Sequence, residues 1–108
     1  MTRGEELAWC AALFEGEGCL TFCEKWTASV RMTDEDMVRR FHQWIGIGTV
    51  MGPYVSNERR RNGSIKLPYW AWQIRAREDI LNFCASLSPM MGERRTAKMK
   101  DCLAYLVP

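Results

Sequence analysis

Two glutamates, Glu15 and Glu17, end an alanine-rich segment, AWCAALFEGEGCL, with one glycine between them. If this segment is a helix, both acids lie near its C-terminus, where unpaired carbonyl groups already give a partial negative charge. Acidic side chains there cost a few tenths of a kcal/mol up to about 1 kcal/mol. A divalent cation would compensate them, because Mg²⁺ accepts carboxylate oxygens as ligands. The pair therefore indicates a metal-dependent reaction, and paired metal sites of this kind hydrolyse phosphodiester bonds.

Small residues recur at four-residue spacing in the same segment, at Ala8, Ala12 and Gly16. Residues at this spacing share one helix face, so two helices could approach closely along it. In a symmetric dimer, the two helices would then bring their acidic ends to one place. The alternative is an alanine-rich core helix packed on the protein's own sheet, and spacing alone favours neither.

Length and composition indicate one globular domain, residues 1–108, with 47% hydrophobic and 26% charged residues. The longest apolar runs are too short to span a bilayer, and the N-terminal residues make a poor signal peptide. Five cysteines without a CxxC pair are typical of reduced, buried thiols, and a single histidine disfavours a zinc site. The sequence thus predicts a cytoplasmic protein, and we expect a bacterial or phage origin.

The segment from residue 55 to residue 75 is basic. It contains five cations against one acid, Glu58, whereas the whole chain has a net charge of only +2. A local excess of positive charge favours a polyanionic partner such as nucleic acid.

Hydrophobic periodicity and turn signals predict eight elements in the order α-β-β-α-β-β-α-α. The predicted helices are 5–17, 34–45 with Thr33 as N-cap, 79–87 and 93–106. The predicted strands are 19–25 and 27–32, joined by a turn near 25–27, and 48–55 and 64–75. Trp44, Trp70 and Trp72 fall on apolar faces and are expected in the core. Antiparallel hairpins with helices on one face define an α+β fold.

Residues 10–18, CAALFEGEG, resemble the motif of the LAGLIDADG homing endonucleases in a variant that ends Glu-Gly-Glu-Gly. The segments MTDEDMVRRFHQWIGIGTV and LSPMMGERRTAKMKDCLAYL, together with a Trp-Gln-Ile strand, resemble the later parts of single-motif members. The resemblance covers nearly the whole chain. It implies a four-stranded antiparallel saddle sheet over the DNA major groove and a homodimer on a pseudo-palindromic site. It also implies site-specific double-strand cleavage, as in intron homing, with Mg²⁺ or another divalent cation such as Mn²⁺ or Ca²⁺.

The resemblance assigns roles to individual residues. Glu17 matches the catalytic, metal-binding acid, and Gly16 matches the residue whose carbonyl faces the metal. Glu15 matches the first acid, where a structural role is more usual, and the implied dimer interface consists of Ala8, Ala11, Ala12 and Glu15. Asp34 matches the second catalytic-shell residue, although it could serve only the helix start. Arg94 best matches the basic residue that assists the transition state, and a one-residue shift would substitute Glu93 or Arg95. Cys10 and Ala12 depart from the family's usual leucine and glycine.

The implied DNA contacts comprise sheet residues, hairpin residues and residues of the last helix. The sheet set is Lys25, Arg31, Lys66, Gln73 and Arg75, the hairpin set is Arg59, Arg60 and Arg61, and the helix set is Arg95 and Lys98. Hairpin arginines are expected to contact phosphates, whereas Gln73 could read adenine. Two other functions remain open: a non-catalytic DNA-binding protein or RNA-splicing maturase on the same scaffold, and a monomeric protein-interaction domain.

Overall fold

The computed structural model describes residues 1–55, 61–64 and 66–107. The helices are α1 (Arg3–Glu17), α2 (Glu35–Ile45), α3 (Arg77–Leu87) and α4 (Glu93–Leu106), with a short 3₁₀ helix at Ser88–Met90. The strands are β1 (Gly18–Cys23), β2 (Lys25–Met32), β3 (Thr49–Tyr54) and β4 (Tyr69–Ile74). This order confirms the predicted α+β class. Within these described ranges, every helix is too short or too polar to cross a membrane.

The four strands form one antiparallel sheet in the order β1-β2-β4-β3. One face of the sheet packs against the helices, and the largest core side chains there are aromatic. Phe14 of α1, Phe41 of α2 and Trp72 of β4 are all 0% exposed. The ring of Trp72 lies edge-on to Phe41, with centroids 4.6 Å apart. The predicted core position of Trp72 is confirmed, and Trp44 and Trp70 pack partly buried against the same core.

The opposite face of the sheet is not covered by the helices, and we call it the open face. Strand alternation places Leu20 toward the core and its neighbour Cys19 on the open face. Cys23 shares this face, and both thiols are exposed. The expectation that all five cysteines are buried is therefore wrong for these two. Cys10, Cys84 and Cys102 are buried as expected.

Several element boundaries differ from the predicted ones because local hydrogen bonds decide them. Helix α1 begins at Arg3, since Thr2 and Glu5 form a capping box. Helix α2 is capped by Asp34 instead of Thr33. The β1–β2 turn lies at Glu24, which has a φ of 66° between the paired residues Cys23 and Lys25.

Two further boundary differences concern β4 and α3. Strand β4 begins at Tyr69 instead of residue 64, because its partner β3 ends at Tyr54, which pairs with Tyr69. Helix α3 begins at Arg77, two residues before the predicted start. Helix α4 has the predicted bounds.

Candidate metal and nucleic-acid site

Glu17 is the last residue of α1, and its side chain is exposed. The chain passes from α1 into β1 without a loop, since Gly18 is both the C-cap of α1 and the first residue of β1. Gly18 pairs with Val30, so Glu17 and Arg31 are each one residue beyond that pair. Glu17 therefore lies at the same end of the sheet as Arg31, a cation of the open face.

The small-residue stripe, Ala8, Ala12 and Gly16, faces outward from the described chain. All three residues are exposed, and a methyl group added at Gly16 would have no heavy atom within 4 Å. The opposite side of α1 contains the buried residues Cys10 and Phe14 and packs in the core. The stripe is therefore not packed on the protein's own sheet. Ala11 is only 2% exposed, so it has almost no surface to offer to the predicted dimer interface.

Glu15, the first acid of the pair, is held within its own chain. Its Oε1 accepts a hydrogen bond of 2.5 Å from the backbone N–H of Gly92, the N-cap of α4. Its Oε2 lies 2.9 Å from Nε of Arg95. The negative charge at the end of α1 is therefore compensated at Glu15 by a guanidinium and by the positive N-terminal end of α4. These contacts favour the structural role that the resemblance implied for Glu15, and its place in a dimer interface stays a prediction.

Arg95 contacts residues on both sides of Gly16 and Glu17. Its terminal nitrogen donates to the carbonyl of Gly18 at 2.6 Å, and its Cζ lies 5.1 Å from the centroid of the Phe14 ring. The side chain is only 17% exposed. The guanidinium of Arg95 is therefore engaged with partners in its own chain, and its contact with DNA stays a prediction. Sequence reasoning missed this role, although the spacing of Arg95 and the buried Met99 on α4 indicates an inward face.

Arg94 lies beside Arg95 but is exposed, and it lines a cavity of about 540 Å³ between α4 and β1. Lys98, one turn further along α4, lines the same cavity and is also exposed. The cavity wall is apolar at Phe14 and Trp26. Arg95 and the carboxylate of Asp101 also line this cavity, and exposed cations such as Arg94 and Lys98 can contact an anionic group such as phosphate.

Asp34 is used by the helix that follows it. Its carboxylate accepts a hydrogen bond of 3.4 Å from the backbone N–H of Met37 and so caps α2. The catalytic-shell role is therefore not supported by its geometry, whereas the alternative of serving the helix start is. Among residues 1–55, 61–64 and 66–107, no three side chains of His, Cys, Asp or Glu come together as a metal-binding group. Of the two acids at the end of α1, Glu17 is the exposed one.

The open face spans all four strands. Its central row pairs Cys19 with Ser29, Ser29 with Gln73, and Gln73 with Thr49. Lys25 and Arg31 are cations of the open face, and Arg75 directly follows β4. All three side chains are exposed. Arg61 and Lys66 are exposed in the connection between β3 and β4. Arg59 and Arg60, which we predicted to contact phosphates, lie outside the described residues.

Comparison of the whole chain with solved structures identifies the fold. The homing endonuclease I-CvuI in complex with its target, in the presence of Ca, superposes with a TM-score of 0.70 at 17% identity, over 96% of this chain and 67% of that chain. The chain has the homing endonuclease fold. The fold predicted from the LAGLIDADG resemblance is thereby confirmed. No family model matches the sequence, and no curated protein matches it.

Two further homing endonucleases have the same architecture. The archaeal intron-encoded I-Vdi141I complexed with DNA has a TM-score of 0.56 at 12% identity, over 84% of this chain and 60% of that chain. I-TnaI has a TM-score of 0.59 at 13% identity, over 93% of this chain and 70% of that chain. This chain therefore spans about two thirds of the length of these homing endonucleases.

Proposed function

We propose that this chain is one subunit of a homodimeric, divalent-metal-dependent endonuclease that cuts double-stranded DNA at a pseudo-palindromic site. The observation that supports this most directly is the different treatment of two neighbouring acids. Glu15 is compensated by Arg95 and Gly92, whereas Glu17 has no side-chain hydrogen bond or ion pair with any residue that the structure describes. An exposed, uncompensated carboxylate at a helix C-terminus is unfavourable unless a cation binds there.

The homodimer brings two such carboxylates together. The stripe of Ala8, Ala12 and Gly16 is exposed and leads along α1 to Glu17. Packing two stripes about a twofold axis would place both α1 C-termini side by side, because each subunit contributes the same surface. This arrangement would give the oxygen-rich cluster that one chain alone does not form within its described residues.

The donor set fits a hard divalent cation. The two Glu17 carboxylates and the two Gly16 carbonyls would hold Mg²⁺, Mn²⁺ or Ca²⁺, all of which prefer oxygen ligands. When bound, the cation supplies Lewis-acid activation of water and stabilisation of the leaving oxygen in phosphodiester hydrolysis. Arg94 contributes an exposed guanidinium that can stabilise the negative charge of the phosphate in the transition state. Arginine is a poor proton donor, so its role there is electrostatic.

The open face provides the DNA-binding surface. Lys25, Arg31 and Arg75 are exposed on or beside it, and Gln73 occupies its central row. Lysine and arginine suit phosphate oxygens and guanine, and the amide of glutamine suits adenine. Homing endonucleases of the same fold have been crystallised with DNA, which supports this use of the sheet.

The test is cleavage of a randomised library of double-stranded DNA with and without Mg²⁺. We expect the wild-type protein to cut a pseudo-palindromic subset only when Mg²⁺ is present. The Glu17→Gln variant should bind the same DNA and leave it intact. The matched control is Glu78→Gln, which changes an exposed acid in the first turn of α3. Equal cleavage by Glu17→Gln would remove Glu17 from the mechanism, and salt-dependent binding without cleavage by the wild type would favour a non-catalytic DNA-binding protein.

A further inference from the structure

Arg95 makes three contacts that surround the end of α1. Its Nε lies 2.9 Å from the Glu15 carboxylate, and its terminal nitrogen lies 2.6 Å from the Gly18 carbonyl. Its guanidinium carbon lies 5.1 Å from the centroid of the Phe14 ring. The Arg95 side chain of α4 thus contacts α1 at Glu15, before Glu17, and β1 at Gly18, after Glu17.

Glu15 and Gly18, which Arg95 contacts, flank the proposed metal-binding residues in the chain. Gly16 and Glu17 are the only residues between Glu15 and Gly18 in the chain. One planar guanidinium forms an ion pair with Glu15 and a hydrogen bond with the Gly18 carbonyl, which restricts the short backbone link between them. The Glu17 carboxylate itself remains exposed.

The backbone of Gly92 reinforces the same contact. Its N–H donates to Glu15 at 2.5 Å. A Cβ built on Gly92 would lie 2.5 Å from that carboxylate oxygen, so any larger residue would displace Glu15. Two residues at the start of α4, Gly92 and Arg95, therefore contact the two oxygens of the Glu15 carboxylate.

We infer that Arg95 is a positioning residue for the nuclease site, an inference that rests on the proposed function. It acts through its own chain: by holding Glu15 and Gly18 it restricts the backbone of Gly16 and Glu17, which carries the carbonyl and the carboxylate proposed to bind a divalent cation. Residues that orient metal ligands in this way commonly change metal affinity or activity by about 10–100-fold when mutated.

The diagnostic variant is Arg95→Lys. Lysine keeps the positive charge beside Glu15, but its ammonium cannot reproduce the planar fork that joins Glu15 to Gly18. We expect the single-turnover cleavage rate to fall about 10–100-fold and the Mn²⁺ affinity of the protein–DNA complex, measured by titration calorimetry, to fall in parallel. The dissociation constant for DNA in Ca²⁺ and the thermal midpoint should stay close to those of the wild type.

The matched control is Arg77→Lys. Arg77 Nε donates to the carbonyl of Leu106 at 2.9 Å, at the other end of α4 and away from Glu17. Its substitution also removes a guanidinium–carbonyl contact, and we expect it to leave the cleavage rate and Mn²⁺ affinity unchanged. Gly92→Ala provides a second route to the same defect, because it displaces Glu15 without altering any charge.

Two results would overturn the inference while leaving the proposed function intact. One is wild-type cleavage and Mn²⁺ affinity in Arg95→Lys. The other is a loss of thermal stability and DNA binding as large as the loss of cleavage, since that describes a general folding role. A wild-type protein that cuts no DNA and binds no divalent cation would instead contradict the proposed function, and the inference would fail with it.

Discussion

The substitution Ala12→Arg tests whether the small-residue stripe is a dimer interface. Ala12 is exposed in the middle of α1, and α1 supports a long side chain there because neighbouring stripe residues are small. Arginine is nearly as good a helix former as alanine. We therefore expect the free energy of unfolding of a lone subunit to change by no more than about 0.5 kcal/mol.

The effect on a dimer should be much larger. In a twofold dimer the substitution occurs twice at one interface. Each guanidinium would be buried without a partner and beside its like-charged copy, at a cost of about 3–5 kcal/mol. The two copies together cost about 6–10 kcal/mol, which weakens association by about four to seven orders of magnitude.

Sedimentation velocity at several protein concentrations measures this directly. The control is Ala85→Arg, which places the same side chain at an exposed alanine of α3. We expect the Ala85 variant to sediment as the wild-type dimer and the Ala12 variant to sediment as a monomer that still unfolds cooperatively. A dimeric Ala12→Arg protein, or a wild type that is monomeric at high concentration, would refute the assignment of the stripe.

Three further predictions follow from the same structure. Gly16→Ala should raise the stability of the lone helix by up to about 1 kcal/mol, because a Cβ there meets no atom within 4 Å, yet weaken dimerisation in sedimentation experiments. In native protein, a thiol reagent followed by mass spectrometry should label the exposed Cys19 and Cys23, whereas the buried Cys10 and Cys84 should react only after unfolding. Burial raises the pKa of Cys10 and Cys84 from 9.0 to about 12, so unfolded thiols ionise first as the pH rises above 9. The contribution of these two thiols to the free energy of unfolding, followed by urea titrations, should hence be constant below about pH 9 and fall above it, by up to about 1.4 kcal/mol per pH unit for each thiol.

The element types were predictable from sequence because each has a local periodic signal. Helix α4 has the predicted bounds, from Glu93 to Leu106, since Pro89 separates it from α3 and its apolar spacing is regular. The cap of α2 was not decided locally, because Thr33 and Asp34 are both good N-cap residues. The start of β4 depended on where β3 ends, which is a long-range property. Strand ends that require a partner cannot be read from a single segment.

The stripe illustrates a limit of spacing arguments. The four-residue recurrence of Ala8, Ala12 and Gly16 fits a core-facing and an outward-facing helix equally well. The position of Phe14 decides between these two orientations. Its ring centroid lies 4.9 Å from that of Phe83, and the ring packs the other side of α1 against the core. The large side chain determines which face turns inward, and the small residues take the remaining face.

The two adjacent arginines show how a helix separates roles that the sequence leaves interchangeable. Consecutive helical residues differ by about 100° around the axis, so Arg94 and Arg95 cannot face the same surroundings. Arg95 shares the inward side of α4 with Met99 and Cys102, and its charge is used on Glu15 and Gly18. Arg94 therefore faces outward with Lys98, at the rim of the cavity beside β1. Both side chains line that cavity, but the contacts of the Arg95 guanidinium with Glu15 and Gly18 favour Arg94 for the proposed transition-state role.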